Sequence, residues 1–369
     1  MTDQPHTPDQ TAAADHAARL AALGWSAHFA DQDEAGSGLA PMRIAAVQRA
    51  MATGLDPAGE HVLGFPPDLR AGGLAVGDWV LCDPETGRIM RVLERVSVLS
   101  RRAAGIEAKP QLLAANVDTL FITTSCNADF NPARLERYLV LALDSGITPV
   151  IVLTKADKTD APDTYVAQAA ALSDKIGAVI ALNAKDPGQI AQLAAWCGPG
   201  RTVAFVGSSG VGKSTLINAL TGSRQATAAM RQADAKGRHT TTARSLHMMA
   251  DGGLVIDMPG MRELGLHDVA GGIDELFDDI TALVDTCRFR DCQHLAEPGC
   301  AIVQAVADGA LDPDRLARWR KLKSEDALNT TSMTVSRREA RALARAHRVA
   351  QDAQRSPKGK RPGKPPRKG

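Results

Sequence analysis

The sequence predicts a multidomain α/β protein, and three observations carry that expectation. Short strand patterns broken by turn residues run to about residue 105 and suggest a small β-barrel. From Asn116 onward, apolar strands alternate with helical segments, the pattern of a parallel sheet with crossover helices. After Gly260 the sheet pattern stops, and three cysteines gather around a histidine in a largely helical segment.

The elements follow in order. Residues 1–37, rich in Asp, Gln, Ala and Thr, read as a mostly disordered N-terminal extension. The barrel is expected over 38–105. Met42–Gln48 alternates like a strand, and turn residues follow at Gly54, Pro57, Gly59 and Pro66-Pro67. Val76–Leu81 and Arg88–Leu93 are strands around the turn Asp83–Gly87. An SH3-like barrel would give the same pattern as an OB-type one. The α/β unit is expected over 106–267. Its strands are Val117–Thr123, Pro149–Leu153, Ala178–Leu182 and Arg201–Val206. Its helices are Pro132–Leu143, with Leu135, Tyr138, Leu139 and Ala142 on one face, then Asp163–Ile176 and Ile190–Trp196. Residues 268–335 form the helical metal-binding unit, and 336–369 a basic disordered tail.

Composition excludes several classes. An apolar fraction of 44% over 369 residues supplies ordinary cores for two or three domains. No apolar run approaches the roughly 18 residues of a membrane span. The polar start from Met1 to His16 does not read as a signal peptide, so a cytoplasmic protein without a membrane partner is expected. The net charge of +1 hides a polarity. Arg337–Gly369 holds twelve Lys/Arg against Glu339 and Asp352, a net +10 that leaves −9 on the rest.

The chemistry centres on Gly207-Ser208-Ser209-Gly210-Val211-Gly212-Lys213-Ser214-Thr215. This stretch fits the phosphate-binding pattern G-x-x-x-x-G-K-[ST] and lies between a strand and a helix. The glycines bring backbone N–H groups close to phosphate oxygens, and the new helix adds its positive end. Lys213 is placed to neutralise β- and γ-phosphates, and the Ser214 hydroxyl to ligate Mg²⁺. Asp257-Met-Pro-Gly260 ends the strand Leu254–Ile256. Asp257 is the expected water-mediated Mg²⁺ ligand and Gly260 the expected γ-phosphate sensor. Gly237-Arg-His-Thr-Thr-Thr242 lies between these motifs, where a first switch would present a threonine to Mg²⁺; Thr241 is taken for that role.

Thr154-Lys155-Ala156-Asp157 follows a strand. An aspartate there accepts from guanine N1–H and the 2-amino group, a donor pair that adenine lacks. Asn183-Ala184, after the next strand, is placed to cap the base O6 with a backbone N–H. Cys287-x4-Cys292-x-His294-x5-Cys300 is a closed Cys3His set, as one structural Zn²⁺ prefers. Many GTPases orient the attacking water with a Gln directly after D-x-x-G, but here that residue is Met261. His239 is the expected substitute, as a catalytic group near the γ-phosphate.

Base motifs at 154–157 and 183–185 precede the phosphate motifs at 207–215, 237–242 and 257–260, the reverse of ordinary small GTPases. With that order, the zinc segment after it and the barrel before it, the chain resembles the ribosome small subunit-dependent GTPase A family. Asn116-Val-Asp-Thr119, Asp129-Phe-Asn-Pro-Ala-Arg-Leu-Glu-Arg-Tyr138 and Val76-Gly-Asp-Trp-Val80 match as well, and the likeness covers about Leu39–Leu328. The resemblance implies an N-terminal OB-type β-barrel, a circularly permuted P-loop GTPase domain and a C-terminal helical zinc-binding domain.

It implies a cytoplasmic factor of late 30S maturation that hydrolyses GTP to GDP on the subunit, with Mg²⁺, and contacts 16S rRNA through the barrel and zinc domain. A monomer is expected. Two positions depart from the family pattern. Thr154 stands where Asn is usual and Asn183 where Ser is usual, both around the base. Two other readings compete. One is an RNA-binding module with nucleotide as a structural ligand, which would bind without turnover. The other is a nucleotide-dependent metal chaperone, against which the closed Cys3His spacing speaks.

Overall fold

The computed structural model describes residues 8–332 apart from 35, 68, 70, 103–109, 223–243 and 259–264. Five strands form the barrel: β1 (Ala40–Val47), β2 (Met51–Asp56), β3 (Gly59–Gly64), β4 (Trp79–Asp83) and β5 (Arg88–Val92). They run in the order β1-β2-β3-β5-β4, and β4 pairs back onto β1, which closes the barrel. Five strands closed in this order are the OB arrangement. Met42, Ile44, Ala52, Leu63, Val80, Cys82 and Ile89 fill the interior.

The β2–β3 hairpin replaces a stretch that reads as turns in the sequence. Gly54 sits inside β2, and a Cβ there would lie 2.6 Å from Leu63 Cδ1, so the Leu63 side chain occupies the space that a residue at 54 would need. The turn itself is Asp56–Gly59, held by Asp56 Oδ1, which accepts from the N–H groups of Ala58 (2.7 Å) and Gly59 (3.0 Å). A second hairpin, β6 (Val98–Arg102) with β7 (Pro110–Ala115), links the barrel to the next domain.

The central sheet comprises β8 (Thr119–Ser125), β9 (Thr148–Thr154), β10 (Ala178–Ala181), β11 (Thr202–Val206), β12 (Ser245–Met248) and β13 (Leu254–Asp257). Its order is β10-β9-β8-β11-β13-β12, parallel except for β12, and the pair Ala46↔Ser245 joins it to the barrel. Because five strands are parallel, their C-terminal ends share one edge whatever their order along the chain. That edge gathers the loops after Ser125, Thr154, Ala181, Val206 and Asp257.

The helices belong to three groups. α1 (Pro8–Ala22) and α2 (Ala27–Ala30) precede the barrel. α3 (Pro132–Asp144), α4 (Pro162–Ala170), α5 (Pro187–Ile190) and α6 (Lys213–Thr221) belong to the sheet domain. α7 (Ala270–Leu276), α8 (Asp278–Val284), α9 (Ala301–Ala307) and α10 (313–332) form the C-terminal unit. Helix α4 ends at Ala170, six residues before the expected end, and the short helix expected at 190–196 is α5 running into a 3-10 turn.

The N-terminal extension corrects the expectation of disorder from Pro8 onward. Leu20, Leu23 and Phe29 are buried, and Trp25 meets Trp79 edge-on at 4.8 Å. Arg43 on β1 fixes the junction. Its guanidinium donates to Leu23 O (2.8 Å), Asn116 O (2.9 Å) and Thr202 Oγ1 (3.1 Å). Three acceptors from three segments hold a fully buried cation whose pKa burial lowers to about 10. Apolar burial by these few side chains supplies the driving force that the polar composition of the segment conceals.

Salt bridges and helix packing join the C-terminal unit to the sheet domain. Helix α3 buries Leu135, Tyr138, Leu139 and Ala142, as its periodicity predicts, and also Glu136, Val140 and Leu141, because α7 covers its other side. Buried Glu136 accepts from Arg318 Nε at 2.8 and 2.9 Å, and Arg137 forks onto Glu325. Burial raises the Glu136 pKa against the opposing pull of Arg318 and Arg315. Removing one partner of such a buried pair leaves a stranded charge, at about 3–5 kcal/mol. Among the described residues no helix is long and apolar enough to cross a membrane.

Candidate nucleotide site and metal centre

The phosphate loop owes its shape to glycine. Gly207 has φ +136°, and a Cβ there would stand 2.0 Å from Thr123 O on the neighbouring strand, so no other residue fits. Gly212 ends the loop and Lys213 opens α6, which points its N-terminus across the loop. Lys213 Nζ donates to Gly207 O (2.7 Å) and Ser208 O (2.6 Å), and an ammonium has a third N–H to offer. Burial lowers the Lys213 pKa while Asp257 pulls it up. Burial raises that of Asp257, opposed by His247 and Lys213. Asp257 and Lys213 thus influence one another electrostatically, and Ser214 follows Lys213 at the head of α6.

The base-side loops arrive at the same edge. Thr154 is fully buried, and its hydroxyl donates to Val211 O inside the phosphate loop, with Thr124 O 3.1 Å away. It therefore ties the loop after β9 to the loop of residues 207–212. Lys155 has φ +58°, a conformation uncommon outside glycine and frequent at functional sites. Ala156 and Asp157 begin a 3-10 turn, where the Asp157 carboxylate lies 3.2 Å from Lys158 Nζ. Asn183 Oδ1 accepts from Lys185 N at 3.0 Å and Asn183 N donates to Gln189 Oε1 at 2.8 Å, so its side chain shapes the loop around buried Ala184.

One contact comes from the stretch Asp129–Tyr138, which the sequence marks only as a family match and not as part of a nucleotide motif. Arg134, in the first turn of α3, donates from Nη1 to Ser208 Oγ at 2.6 Å, across 74 residues of chain. Thr241, His239 and Gly260, expected at this site, lie outside the described residues, as do Met261 and the basic tail.

The second constellation lies in the C-terminal unit. The ligand atoms of Cys287, Cys292, His294 and Cys300 all lie within 4.8 Å of one another. Cys287 Sγ is 3.5 Å from His294 Nδ1 and 3.9 Å from Cys300 Sγ, and Cys300 Sγ is 3.7 Å from His294 Nδ1. Tetrahedral metal–sulfur bonds of about 2.3 Å require sulfurs about 3.8 Å apart, so the four atoms fit one ion. Burial lowers the His294 pKa, the direction that favours the neutral imidazole a metal ligand presents. Burial would raise the Cys300 thiol, but the N–H groups of Val303 and Ile302 at the head of α9, together with the other two thiols, bring it below its ordinary value.

Two residues that are not among the four ligand candidates shape this loop. The Glu297 carboxylate accepts from the N–H groups of Gln293 (2.7 Å), Leu295 (2.8 Å) and Ala296 (3.0 Å), and its pKa falls to about 2 with its own N–H, then those of Gln293 and Leu295, as the main causes. Arg320 on α10 grips His294 O. Four protein ligands complete a tetrahedral set, the composition of closed structural sites.

Comparison with known proteins decides the family. The RsgA GTPase family model matches residues 92–267. A protein of Mesorhizobium japonicum named small ribosomal subunit biogenesis GTPase RsgA is 57% identical over 316 residues, which cover 84% of this chain and 91% of that protein. This chain belongs to the RsgA GTPase family. The crystal structure of YjeQ from Thermotoga maritima matches with a TM-score of 0.58 at 26% identity, covering 78% of this chain and 98% of that one. That of YloQ, a circularly permuted GTPase, matches with 0.54 at 27% identity, covering 79% and 96%. The permuted motif order of this RsgA-family chain is therefore a property of its fold, and the sheet edge explains why the permutation leaves the site together.

Proposed function

We infer that this chain is a GTPase acting in biogenesis of the small ribosomal subunit. The observation that carries this is the convergence of residues 154–157, 183–184, 207–215 and 257 on one sheet edge, in a chain 57% identical to a protein named for that role. Phosphates lie in the cradle of N–H groups from Ser208 to Thr215, with Lys213 against the β- and γ-oxygens. Ser214, Asp257 and Thr241 would hold Mg²⁺, which would supply neutralisation of phosphate charge. Asp157 gives up Lys158 to accept from the guanine edge. The Ala184 backbone caps O6, and Gly260 senses the γ-phosphate.

In place of the missing glutamine, His239 orients the attacking water when the chain is bound to the subunit. Cys287, Cys292, His294 and Cys300 hold one structural Zn²⁺, which suits three thiolates and one imidazole. The factor works in the cytoplasm as a monomer, stimulated by the 30S subunit. It contacts 16S rRNA through the barrel, the zinc domain and the +10 tail, whose charge suits phosphate.

Base selection is the first test. Asp157→Asn turns an acceptor into a donor, and the ratio of GTP to ATP affinity should fall by about 100-fold or more. Competition binding checks it, and an unchanged ratio removes Asp157 from the base site. For the partner, co-sedimentation with purified 30S subunits should be strong with a GTP analogue and weak with GDP. Truncation after Ser336 should weaken it and flatten its salt dependence. Equal binding in both nucleotides would contradict a nucleotide-controlled role.

A further inference from the structure

Two cations meet at one residue of the phosphate loop. Lys213 Nζ bonds the Ser208 carbonyl at 2.6 Å, and Arg134 Nη1 bonds the Ser208 hydroxyl at 2.6 Å. The first is the motif lysine. The second comes from a helix that no nucleotide motif assigns.

The position of Arg134 is built into the fold. Asn131 caps α3 by accepting from the N–H of Arg134 itself at 3.0 Å, and Pro132 begins the helix. Two and three residues further on, Glu136 and Arg137 clamp the same helix to Arg318 and Glu325 of α10. The base of the arginine is thus fixed, while its side chain is exposed and pairs with no carboxylate among the described residues. A guanidinium has five N–H donors in a rigid fork, and Ser208 takes one. A free fork beside a phosphate loop is matched to an oxyanion.

We propose that Arg134 is a catalytic arginine supplied in cis, contacting the phosphates of bound GTP. This rests on the GTPase reading above. In the reaction the water oxygen bonds to the γ-phosphorus, and the bond from that phosphorus to the β–γ bridging oxygen breaks. The electron pair stays on GDP, and the water proton leaves with the released phosphate. Negative charge shifts onto the bridging and γ-oxygens in the transition state, and Arg134 bonds them there. It does what an arginine finger donated by a partner does in other GTPases, and its setting depends on α10, so the C-terminal unit holds it in place. GDP lacks the γ-oxygens, so Arg134 discriminates the reacting state more than the product.

The test uses the full chain with Arg134→Ala and Arg134→Lys, measuring GDP affinity and single-turnover hydrolysis of GTP with and without 30S subunits. Arg134→Ala should slow hydrolysis about 100-fold or more with GDP affinity within about threefold. Free guanidinium ion should restore part of the lost rate, and Arg134→Lys should retain part of it through its charge alone. An alanine variant as fast as the parent overturns the proposal. So does a slow one whose loss guanidinium ion leaves untouched, since that marks Arg134 as a brace for the loop. Lys213→Ala run alongside separates the two claims: if it still binds nucleotide normally, the phosphate-site reading has failed rather than the role of Arg134.

Discussion

Lys213→Ala should reduce GTP affinity and turnover together, each by at least about 100-fold. The ammonium stitches Gly207 O and Ser208 O, and this half-buried cation, with His247, lowers the Asp257 pKa against burial. Its removal takes away both the loop's internal tie and the charge that meets the phosphates. It also removes one of the two groups, with His247, that oppose the burial penalty on the Asp257 carboxylate. Titration calorimetry with GDP and a GTP analogue measures the loss. Binding at the parent's affinity would place the phosphates elsewhere.

Loss of the metal should be as severe for the C-terminal unit. Structural zinc contributes about 10–16 kcal/mol of apparent binding free energy in small domains, as much as a whole domain's stability. Here the ligands also organise their surroundings. Cys300 caps α9, and the backbone of His294 carries the contact to Arg320. Cys292→Ser, or strong chelation, should unfold residues 287–300, expose them to protease and weaken subunit binding. The sheet domain should keep its nucleotide affinity, because β8 to β13 carry that site. Metal analysis should find one zinc per chain. A metal-free protein with the same protease resistance would contradict the centre.

The legible parts of this protein are those whose chemistry is local. The phosphate loop, the Thr154–Asp157 turn and the Cys3His set each fit within a few residues, so spacing alone exposes them. The α/β alternation is legible for the same reason. What escaped depends on distant partners. Leu20, Leu23 and Phe29 look like stray apolar residues in a polar extension until Trp79 and Arg43 appear beneath them. The β2–β3 hairpin hid behind Gly54, whose fit is set by Leu63 on the opposite strand. Thr154 marks a departure from the family pattern in the sequence, but only the fold shows that its hydroxyl bonds Val211 O. Arg134 reaches Ser208, and Glu136 reaches Arg318, over 74 and 182 residues, and no periodicity carries such a signal. Glu297 and Arg320 shape the metal loop through backbone groups, which a search for ligand side chains passes over.

GTP hydrolysis by the full chain, with and without purified 30S subunits, tests the central claim most directly. With Met261 where a water-positioning glutamine is usual, turnover alone should be slow. Mature subunits should raise it by about 10-fold or more, and the increase should vanish in Lys213→Ala. Turnover that is equally fast without subunits, or absent with them, would contradict the account of a GTPase working on the small ribosomal subunit.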